Sequence, residues 1–200
     1  VAGTEQQIQK TTGVLREGGL TAFCLTEADA GSDSGRIMTT ATRDGSDYII
    51  NGSKAFITNG GLASLYTVFA TVDRGLGKKG ITAFLVDRDT PGITIGKEED
   101  KMGIRTSNTT EVVFTDVRVP AENILGGVGG GFKLAMQTLD RTRAVAASGA
   151  VGIAQAALDY ATRYAKERKT FGVPIGRHQG VAFMLADMEM QTQAARQLMW

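Results

Sequence analysis

The sequence is poor in the residues on which disulfide-bonded, metal-binding and membrane-spanning proteins depend. Its 200 residues include one cysteine, Cys24, and one histidine, His178. One cysteine cannot form a disulfide within the chain, and one His with one Cys is too few for a zinc site or a Cys-His catalytic site. No apolar run approaches the roughly 20 residues that a transmembrane helix requires. These absences argue against a disulfide framework, a metal site and a membrane span.

The chain also lacks the charge pattern and the motifs of proteins that bind polyanions or nucleotides. Lys and Arg number 22 against 21 Asp and Glu, and the two signs are interspersed. Nucleic-acid and membrane-surface proteins usually concentrate basic residues on one face. The glycines at 126–131 do not fit G-x-G-x-x-G, and no Walker loop is present. We therefore expect no nucleic-acid and no membrane partner, and a single cysteine indicates a reducing intracellular compartment.

Hydrophobic periodicity divides the chain into a short polar helix, a β-rich middle and a helical end. Residues 4–17 predict a helix that is closed by Gly18 and Gly19. Two long helices are predicted beyond the glycine-rich joint at 126–131. Short β-rich runs lie between these helical parts, separated by turn signals such as Asp44-Gly45 and Asn51-Gly52. The runs are residues 20–25, 38–43, 48–51, 55–58, 65–71, 81–86, 93–97 and 112–119.

The predicted fold class is α+β: an antiparallel β-barrel or sandwich, followed by the first helices of an antiparallel four-helix bundle. We predict that residues 1–19 are the tail of an N-terminal helical domain, 20–127 the β domain and 128–200 part of the bundle. The first ten residues have no signal or transit composition, and the last apolar stripe runs to Trp200 without a cap. We therefore expect truncation at both ends.

Two strand ends carry hydroxyl and small residues in a similar arrangement. The run that ends at Leu25-Thr26-Glu27 leads into a loop of small residues up to Asp33, and a second run ends in Phe56-Ile57-Thr58 before Asn59-Gly60. Taken alone, each is most simply a solvated turn, and Phe56 is most simply a core residue. A strand end nevertheless exposes backbone N–H groups, and a narrow loop beside it admits a flat ligand.

In combination and in this order, the motifs resemble the acyl-CoA dehydrogenase family over nearly all of the chain. The resemblance implies a homotetramer, or at least a dimer, that uses FAD to oxidise a short- to medium-chain acyl-CoA in fatty acid β-oxidation. It also implies that an electron-transfer flavoprotein accepts the electrons, in a bacterial cytoplasm or a mitochondrial matrix. The matching motifs are TE-x-x-AGSD at 26–33, ITNG at 57–60, K-x-G-I-R at 101–105, and the later runs 114–120, 131–133, 139–143 and 167–172.

The same resemblance assigns site residues. The residues assigned to the flavin ring are Phe23, Leu25, Thr26, Phe56, Ile57 and Thr58. Backbone groups of Leu25 and Thr26, together with Thr58, are expected to hydrogen-bond the ring, and Phe56 is expected to lie beside it. The group for FAD held mainly by a neighbouring subunit is Arg168, Thr170, Phe171, His178 and Gln179. Ser32, Asp140 and Arg143 are assigned to acyl-CoA. Spacing alone predicts an i,i+3 surface ion pair for Asp140 and Arg143, and His178 alone is more simply a satisfied or surface group.

No catalytic residue is assigned within the chain. Branched- and long-chain relatives carry a Glu base just before the arginine that corresponds to Arg143, where this sequence has Thr142. Thr cannot act as that base, so we expect a carboxylate beyond Trp200, as in short- and medium-chain members. Phe56 replaces the Trp of most relatives, and Ala28-Asp29 replace Pro-Gly or Pro-Asn.

Three alternatives stay open at this point. An acyl-CoA oxidase shares most of these motifs but lets oxygen reach the reduced flavin. A non-catalytic homologue binds flavin or CoA without turnover, and the residue at the base position distinguishes it. In the third alternative these 200 residues bind no flavin at all, because half of the helical bundle is absent. Acyl chain length is not fixed by the sequence, although several runs look most like the short-chain members.

Overall fold

The computed structural model describes residues 2–200, which form two compact units. The first ends at Gln137, and the second comprises Thr138–Trp200. The first contains the β-sheet and the second is helical, which confirms the predicted α+β class. None of the helices within residues 2–200 combines the length and apolar content needed to cross a bilayer.

The first unit opens with helix α1 (Glu5–Arg16), which has the predicted start and stop. Thr4 caps its amino end: the Thr4 side chain accepts from the Gln7 backbone, and the Gln7 side chain accepts from the Thr4 backbone. Gly18 follows the helix at φ 81°, the left-handed conformation that favours glycine. Gln7 also donates to the carbonyls of Glu122 and Ile124, which ties α1 to the end of the sheet.

A single large sheet follows α1, with the order β6-β7-β3-β2-β4-β5-β8 and with β1 added beside β4. Its strands are β1 Thr21–Cys24, β2 Thr40–Asp44, β3 Asp47–Thr58, β4 Leu65–Thr71, β5 Ile81–Asp87, β6 Ile93–Glu98, β7 Thr109–Pro120 and β8 Ile124–Leu125. Most pairs are antiparallel, as predicted, but β1 and the start of β2 run parallel to β4. The sandwich alternative fits this open path, since no pairing within residues 2–200 joins β6 to β8.

The predicted turn at Asn51-Gly52 is wrong, because the two runs on either side form one continuous strand, β3. Gly52 has φ 149° and lies at a register shift against β7. A Cβ at Gly52 would lie 2.5 Å from the Thr39 hydroxyl oxygen, so the glycine permits a close backbone approach inside the strand. The Asp44-Gly45 turn is confirmed, since Gly45 has φ 63° and Asp44 pairs with Asp47.

The core of the first unit has two apolar clusters, on either side of β4. One includes Tyr66, Val68 and Phe84, and the other includes Phe69 and Ile81, all at most 1% exposed. Complete burial of side chains of this size contributes about 1.5–3 kcal/mol each. Alternate residues of β4 point to opposite faces, so this strand stabilises both clusters.

Two helices and a hairpin make up the second unit. Helix α2 (Gly131–Glu167) begins in the first unit, and its later part pairs with α3 (Gln179–Met199). Val151, Leu158 and Ala165 are buried and lie on one face of α2, as helical periodicity requires. The Arg196 guanidinium donates to the Gln155 amide oxygen at 2.6 Å across the two helices. Between them lie a hairpin of β9 (Lys169–Thr170) and β10 (Val173–Pro174) and a 3₁₀ turn at Ile175–Arg177. Three further 3₁₀ turns belong to the first unit, at Ser34–Arg36, Arg74–Gly80 and Ala121–Asn123.

Candidate functional site

An irregularity near the end of β3 sets which side chains face outwards. The register of β3 against β7 shifts between Lys54 and Ile57, which inserts an extra residue into the strand. Lys54 and Ile57 therefore both point into the core, although strict alternation would send them to opposite faces. Phe56 and Thr58 both lie outside. The shift thus presents an aromatic ring and a hydroxyl together on the outer surface.

Phe56 occupies a backbone conformation that is uncommon for a residue with a side chain. Its φ is 58°, in the left-handed region, and its side chain is 62% exposed. Such a conformation costs a non-glycine residue about 1–2 kcal/mol, and residues held in strained conformations concentrate at ligand sites. The expectation that Phe56 alone would be a core residue is wrong, because the shift in β3 turns it outwards.

The end of β1 lies directly beside this part of β3. The Thr26 carbonyl accepts the Ala55 N–H at 2.9 Å, next to Phe56. Leu25 and Ile57 belong to the core, with 5% and 2% of their surface exposed. Each of these two residues therefore offers only its backbone to a ligand. Phe23 is half-buried and packs on Phe69, with ring centroids 4.8 Å apart.

A buried ion pair lies under these strand ends. The Lys54 ammonium donates to Glu27 Oε1 at 2.7 Å and to the Leu25 carbonyl at 3.2 Å. The side chain of Lys54 is fully buried, and that of Glu27 is 8% exposed. The Glu27 carboxylate also accepts the backbone N–H groups of Met38 and Thr39, and the Thr39 hydroxyl at 2.6 Å.

The charges of this pair depend on each other. Burial by itself raises the pKa of Glu27, but the Lys54 charge and the hydrogen bonds from Lys54, Met38 and Thr39 outweigh it and lower that pKa below 4.5. Burial lowers the pKa of Lys54, and the Glu27 charge opposes this. Burial also raises the pKa of the neighbouring Cys24 thiol to about 12. Cys24 is therefore an inert core residue and not a nucleophile.

The loop between β1 and β2 contains the residue assigned to the substrate. Glu27 and Ala30 exchange backbone hydrogen bonds at 3.2 and 3.1 Å, which forms a tight turn just after β1. Ala30 and Ile37 point into the core, while Ser32 lies exposed between them. The loop therefore holds Ser32 at the surface by anchors on either side of it.

A hydrogen-bond network fixes the corner that follows Thr58. Asn59 has φ 61°; its side chain donates to the Thr21 carbonyl at 3.3 Å, and its N–H donates to the Asn108 carbonyl at 2.9 Å. The Tyr66 hydroxyl donates to the Gly60 carbonyl at 2.8 Å. Asn59 thus joins the end of β3 to the start of β1 and to the residue before β7, which fixes the corner after Thr58.

The second unit presents a separate group of assigned residues at its hairpin. Phe171 and Gly172 form the turn between β9 and β10, with φ values of 52° and 79°, as in a type I′ turn. Phe171 is 97% exposed, and its ring meets the His178 ring edge-on at 6.0 Å. Thr170 Oγ1 lies 2.9 Å from His178 Nε2. The hairpin therefore brings Thr170, Phe171 and His178 together.

The remaining assigned residues of the second unit are exposed. Arg168 and Gln179 stand at the two ends of the connection between α2 and α3, and Arg168 forms no ion pair within residues 2–200. Arg143 donates to Asp140 at 2.8 Å, with both side chains about two-thirds exposed. This is the ion pair that the i,i+3 spacing predicts, and such pairs contribute only about 0.2–0.5 kcal/mol.

The sequence motifs contain two residues whose position was not predicted, Glu27 and Lys54. Glu27 belongs to the TE-x-x-AGSD loop and Lys54 to β3, 27 positions later. Lysine is almost never fully buried unless it is paired, and nothing local identifies the partner. Within the part of the chain that the structure describes, no cluster of His, Cys, Asp or Glu is suited to a metal ion.

The first unit can accommodate a flat, hydrogen-bonding ligand at the two strand ends. The Phe56 ring offers an apolar face, and the exposed Thr58 hydroxyl and half-buried Thr26 offer polar groups beside it. No partner is found within residues 2–200 for the Thr26 N–H, which leaves a fixed donor at the surface. An isoalloxazine ring needs an apolar flank and donors along its edge, so this donor set fits the flavin that the motifs imply.

Comparisons with known proteins bear on the same regions. A family model described as acyl-CoA dehydrogenase, middle domain, matches residues 22–117, and one described as acyl-CoA dehydrogenase, C-terminal domain, matches 129–200. The short-chain specific acyl-CoA dehydrogenase of Megasphaera elsdenii is 54% identical over 200 residues, which cover 99% of this chain and 52% of that protein. The chain therefore spans about half the length of the curated relatives it matches.

Solved structures give similar matches. The butyryl-CoA dehydrogenase of Megasphaera elsdenii superposes with a TM-score of 0.92 at 54% identity, covering 99% of this chain and 52% of the other. A chain in a structure of the electron transferring flavoprotein of Acidaminococcus fermentans gives a TM-score of 0.91 at 49% identity, with the same coverage. At these identities the likeness extends beyond the fold to the sequence.

Proposed function

Since the chain belongs to the acyl-CoA dehydrogenase family, we propose that the protein it comes from is an FAD-dependent enzyme. It introduces a double bond between the α and β carbons of a short-chain acyl-CoA and passes the electrons to an electron-transfer flavoprotein. The observation that carries this proposal is the 54% identity to a short-chain specific acyl-CoA dehydrogenase across the whole chain. The outward placement of Phe56 and Thr58 beside Thr26 supports it from the geometry.

In this proposal the two strand ends bind and orient the flavin ring. Phe56 covers one side of the ring, while the Thr26 N–H and the Thr58 hydroxyl donate along its edge. When bound, FAD supplies the acceptor for the hydride that leaves the β carbon. Donors that are already fixed favour the negative charge that the ring gains, because no reorganisation is needed at the moment of transfer. The chain thus supplies position and electrostatics.

The α-proton needs a base that we do not assign to these 200 residues. Thr142 occupies the position of the family's alternative Glu base, and its hydroxyl donates to the Leu139 carbonyl at 3.3 Å. A threonine hydroxyl is not a carboxylate base. We propose that the base lies outside the 200 residues, and that Ser32, Asp140 and Arg143 only bind the CoA part of the substrate.

The residues of the hairpin serve a second part of the cofactor. We assign the exposed Arg168, with Thr170 and Gln179, to the pyrophosphate and adenine of FAD bound mainly by a neighbouring subunit. A guanidinium presents a planar set of donors that suits phosphate oxygens. The exposed Phe171 ring offers a stacking surface. On this proposal the enzyme is an oligomer, since each cofactor is completed by a second copy.

The visible absorption spectrum of the full-length protein tests the proposed function. Butyryl-CoA added without oxygen should bleach the oxidised flavin band and produce a long-wavelength charge-transfer band. A flavin band that stays unchanged with every saturated acyl-CoA would indicate a homologue that only binds flavin or CoA. Absence of bound flavin after reconstitution with FAD would contradict the proposal altogether.

Reaction of the reduced flavin with oxygen separates the dehydrogenase from an oxidase. We expect slow reoxidation in air and fast reoxidation by an electron-transfer flavoprotein. Fast reoxidation by oxygen with release of hydrogen peroxide would instead support the acyl-CoA oxidase alternative.

A further inference from the structure

The segment between β1 and β2 leaves the sheet along one edge of β4 and returns to the same edge. Cys24, the last residue of β1, pairs with Val68, and Thr40, the first residue of β2, pairs with Thr71. Glu27 closes the base of this segment, because its carboxylate accepts the N–H groups of Met38 and Thr39 at the returning end. One carboxylate therefore holds both ends of the loop.

Lys54 connects this closed loop to β3, two residues before Phe56. Its ammonium pairs with Glu27 at 2.7 Å and also donates to the Leu25 carbonyl at 3.2 Å. In a planar trans peptide the C=O and the following N–H point in opposite directions. Because the Leu25 carbonyl points towards the buried ammonium, the Thr26 N–H points away from the ammonium. This N–H has no hydrogen-bond partner within residues 2–200.

We propose that the Glu27–Lys54 ion pair is a positioning device of the flavin site, which fixes the Leu25–Thr26 peptide plane and the spacing between this peptide and Phe56. The inference rests on the proposed function, since it concerns the donor assigned to the flavin ring. Both side chains are buried below the strand ends, so neither is placed to contact a ligand at the surface. A buried pair is otherwise a poor source of stability, because desolvation offsets most of the attraction.

Substitution of both members separates positioning from stability. Removal of one partner leaves an unpaired buried charge, so Lys54→Met and Glu27→Gln each lower the unfolding temperature. The double variant Glu27→Gln/Lys54→Met buries no charge and recovers most of that loss. It still lacks the donor to the Leu25 carbonyl, and the Thr26 N–H is therefore no longer held in place.

The experiment measures FAD binding, the visible spectrum and the flavin reduction potential of the full-length protein. We expect the double variant to bind FAD about tenfold more weakly, the effect of losing roughly one hydrogen bond. If the Thr26 N–H stabilises the reduced ring over the oxidised ring by a further factor of ten, its loss lowers the reduction potential by about 30 mV for a two-electron couple. The flavin absorption bands should shift, whereas a purely structural pair would change none of these three properties.

A matched control removes a second lysine ion pair of the first unit. Lys10 contacts Asp87 at 2.6 Å on the exposed surface, and Lys10→Met should leave FAD binding, spectrum and potential as in the wild type. A double variant with the FAD affinity, spectrum and potential of the wild type would overturn the inference and leave the proposed function intact. A wild-type protein that binds no FAD would overturn both.

Discussion

The left-handed backbone at Phe56 makes a quantitative prediction about stability. The φ of 58° is unfavourable for any residue with a Cβ, by about 1–2 kcal/mol. The side chain is mostly exposed, so its truncation removes little buried surface. Glycine relieves the strain but gains about 0.5–1 kcal/mol of conformational freedom in the unfolded chain. We therefore expect Phe56→Gly to be more stable than Phe56→Ala by roughly 0.5–1 kcal/mol, as the difference of these two effects.

Arg43 provides the comparison, since it is also exposed in a strand and is not among the residues with positive φ. There the entropic effect acts alone, and Arg43→Gly should be less stable than Arg43→Ala by about 0.5–1 kcal/mol. Urea unfolding of the four full-length variants without bound flavin, followed by circular dichroism, measures both differences. The same order at both positions, with alanine more stable than glycine, would refute the strain assigned to Phe56.

Three further predictions concern the same unit. Gly60→Ala should destabilise it by about 1–3 kcal/mol in urea unfolding, because a Cβ there would collide with the Thr110 hydroxyl, whereas Gly103→Ala, with open space around it, should be neutral. Glu27 has a lowered pKa in the fold, so its contribution to stability is complete above its ordinary pKa of 4.5 and is lost as the pH falls through the folded value. Thermal unfolding between about pH 6 and pH 3 should therefore show a smaller loss of stability in the double variant Glu27→Gln/Lys54→Met, which leaves no unpaired buried lysine, than in the wild type. Cys24, with a pKa of about 12 and no exposed surface, should react with Ellman's reagent only after denaturation.

Each of these three has an outcome that would contradict it. Equal unfolding midpoints for the alanine variants of Gly60 and Gly103 would show that the strand-end corner relaxes around the added methyl group. Parallel acid profiles for the wild type and the double variant Glu27→Gln/Lys54→Met would mean that the carboxylate is not stabilised in its charged form. A thiol at Cys24 that reacts at the native rate of an exposed cysteine would contradict its place in the core.

Sequence patterns predicted α1 and the strands β1 to β7 of the first unit, but neither the short strand β8 nor the conformation within β3. Asn-Gly is a strong hairpin signal, and at Asn51-Gly52 it failed because the pairing of β3 with β7 is non-local. The same applies to Phe56, whose outward direction depends on a register shift between strands far apart in sequence. Local preferences identify where a strand lies more readily than which way its residues face.

Only those residues of the candidate site that belong to recognisable motifs could be assigned from the sequence. Thr26 and Thr58 were identified by resemblance, and the hydrogen bond from Ala55 to Thr26 is consistent with their grouping. The buried Lys54 could not be predicted from hydropathy, because a lysine in a strand is expected at the surface. Its partner Glu27 was indistinguishable from a solvated turn residue, and only the three-dimensional pairing separates the two interpretations.

The loop that leaves and rejoins the same edge of β4 has a consequence for sequence change. Its ends are set by the sheet and by Glu27, and Ala30 and Ile37 anchor it from within, while residues 28–29 and 31–33 are exposed. Lengthening a surface loop costs little entropy, since each doubling adds only about 0.6 kcal/mol. Insertions at residues 31–33, and substitutions at the exposed positions, are therefore expected to leave the strand register unchanged. The exposed tip that carries Ser32 can therefore change in sequence and length while the sheet beneath it stays the same.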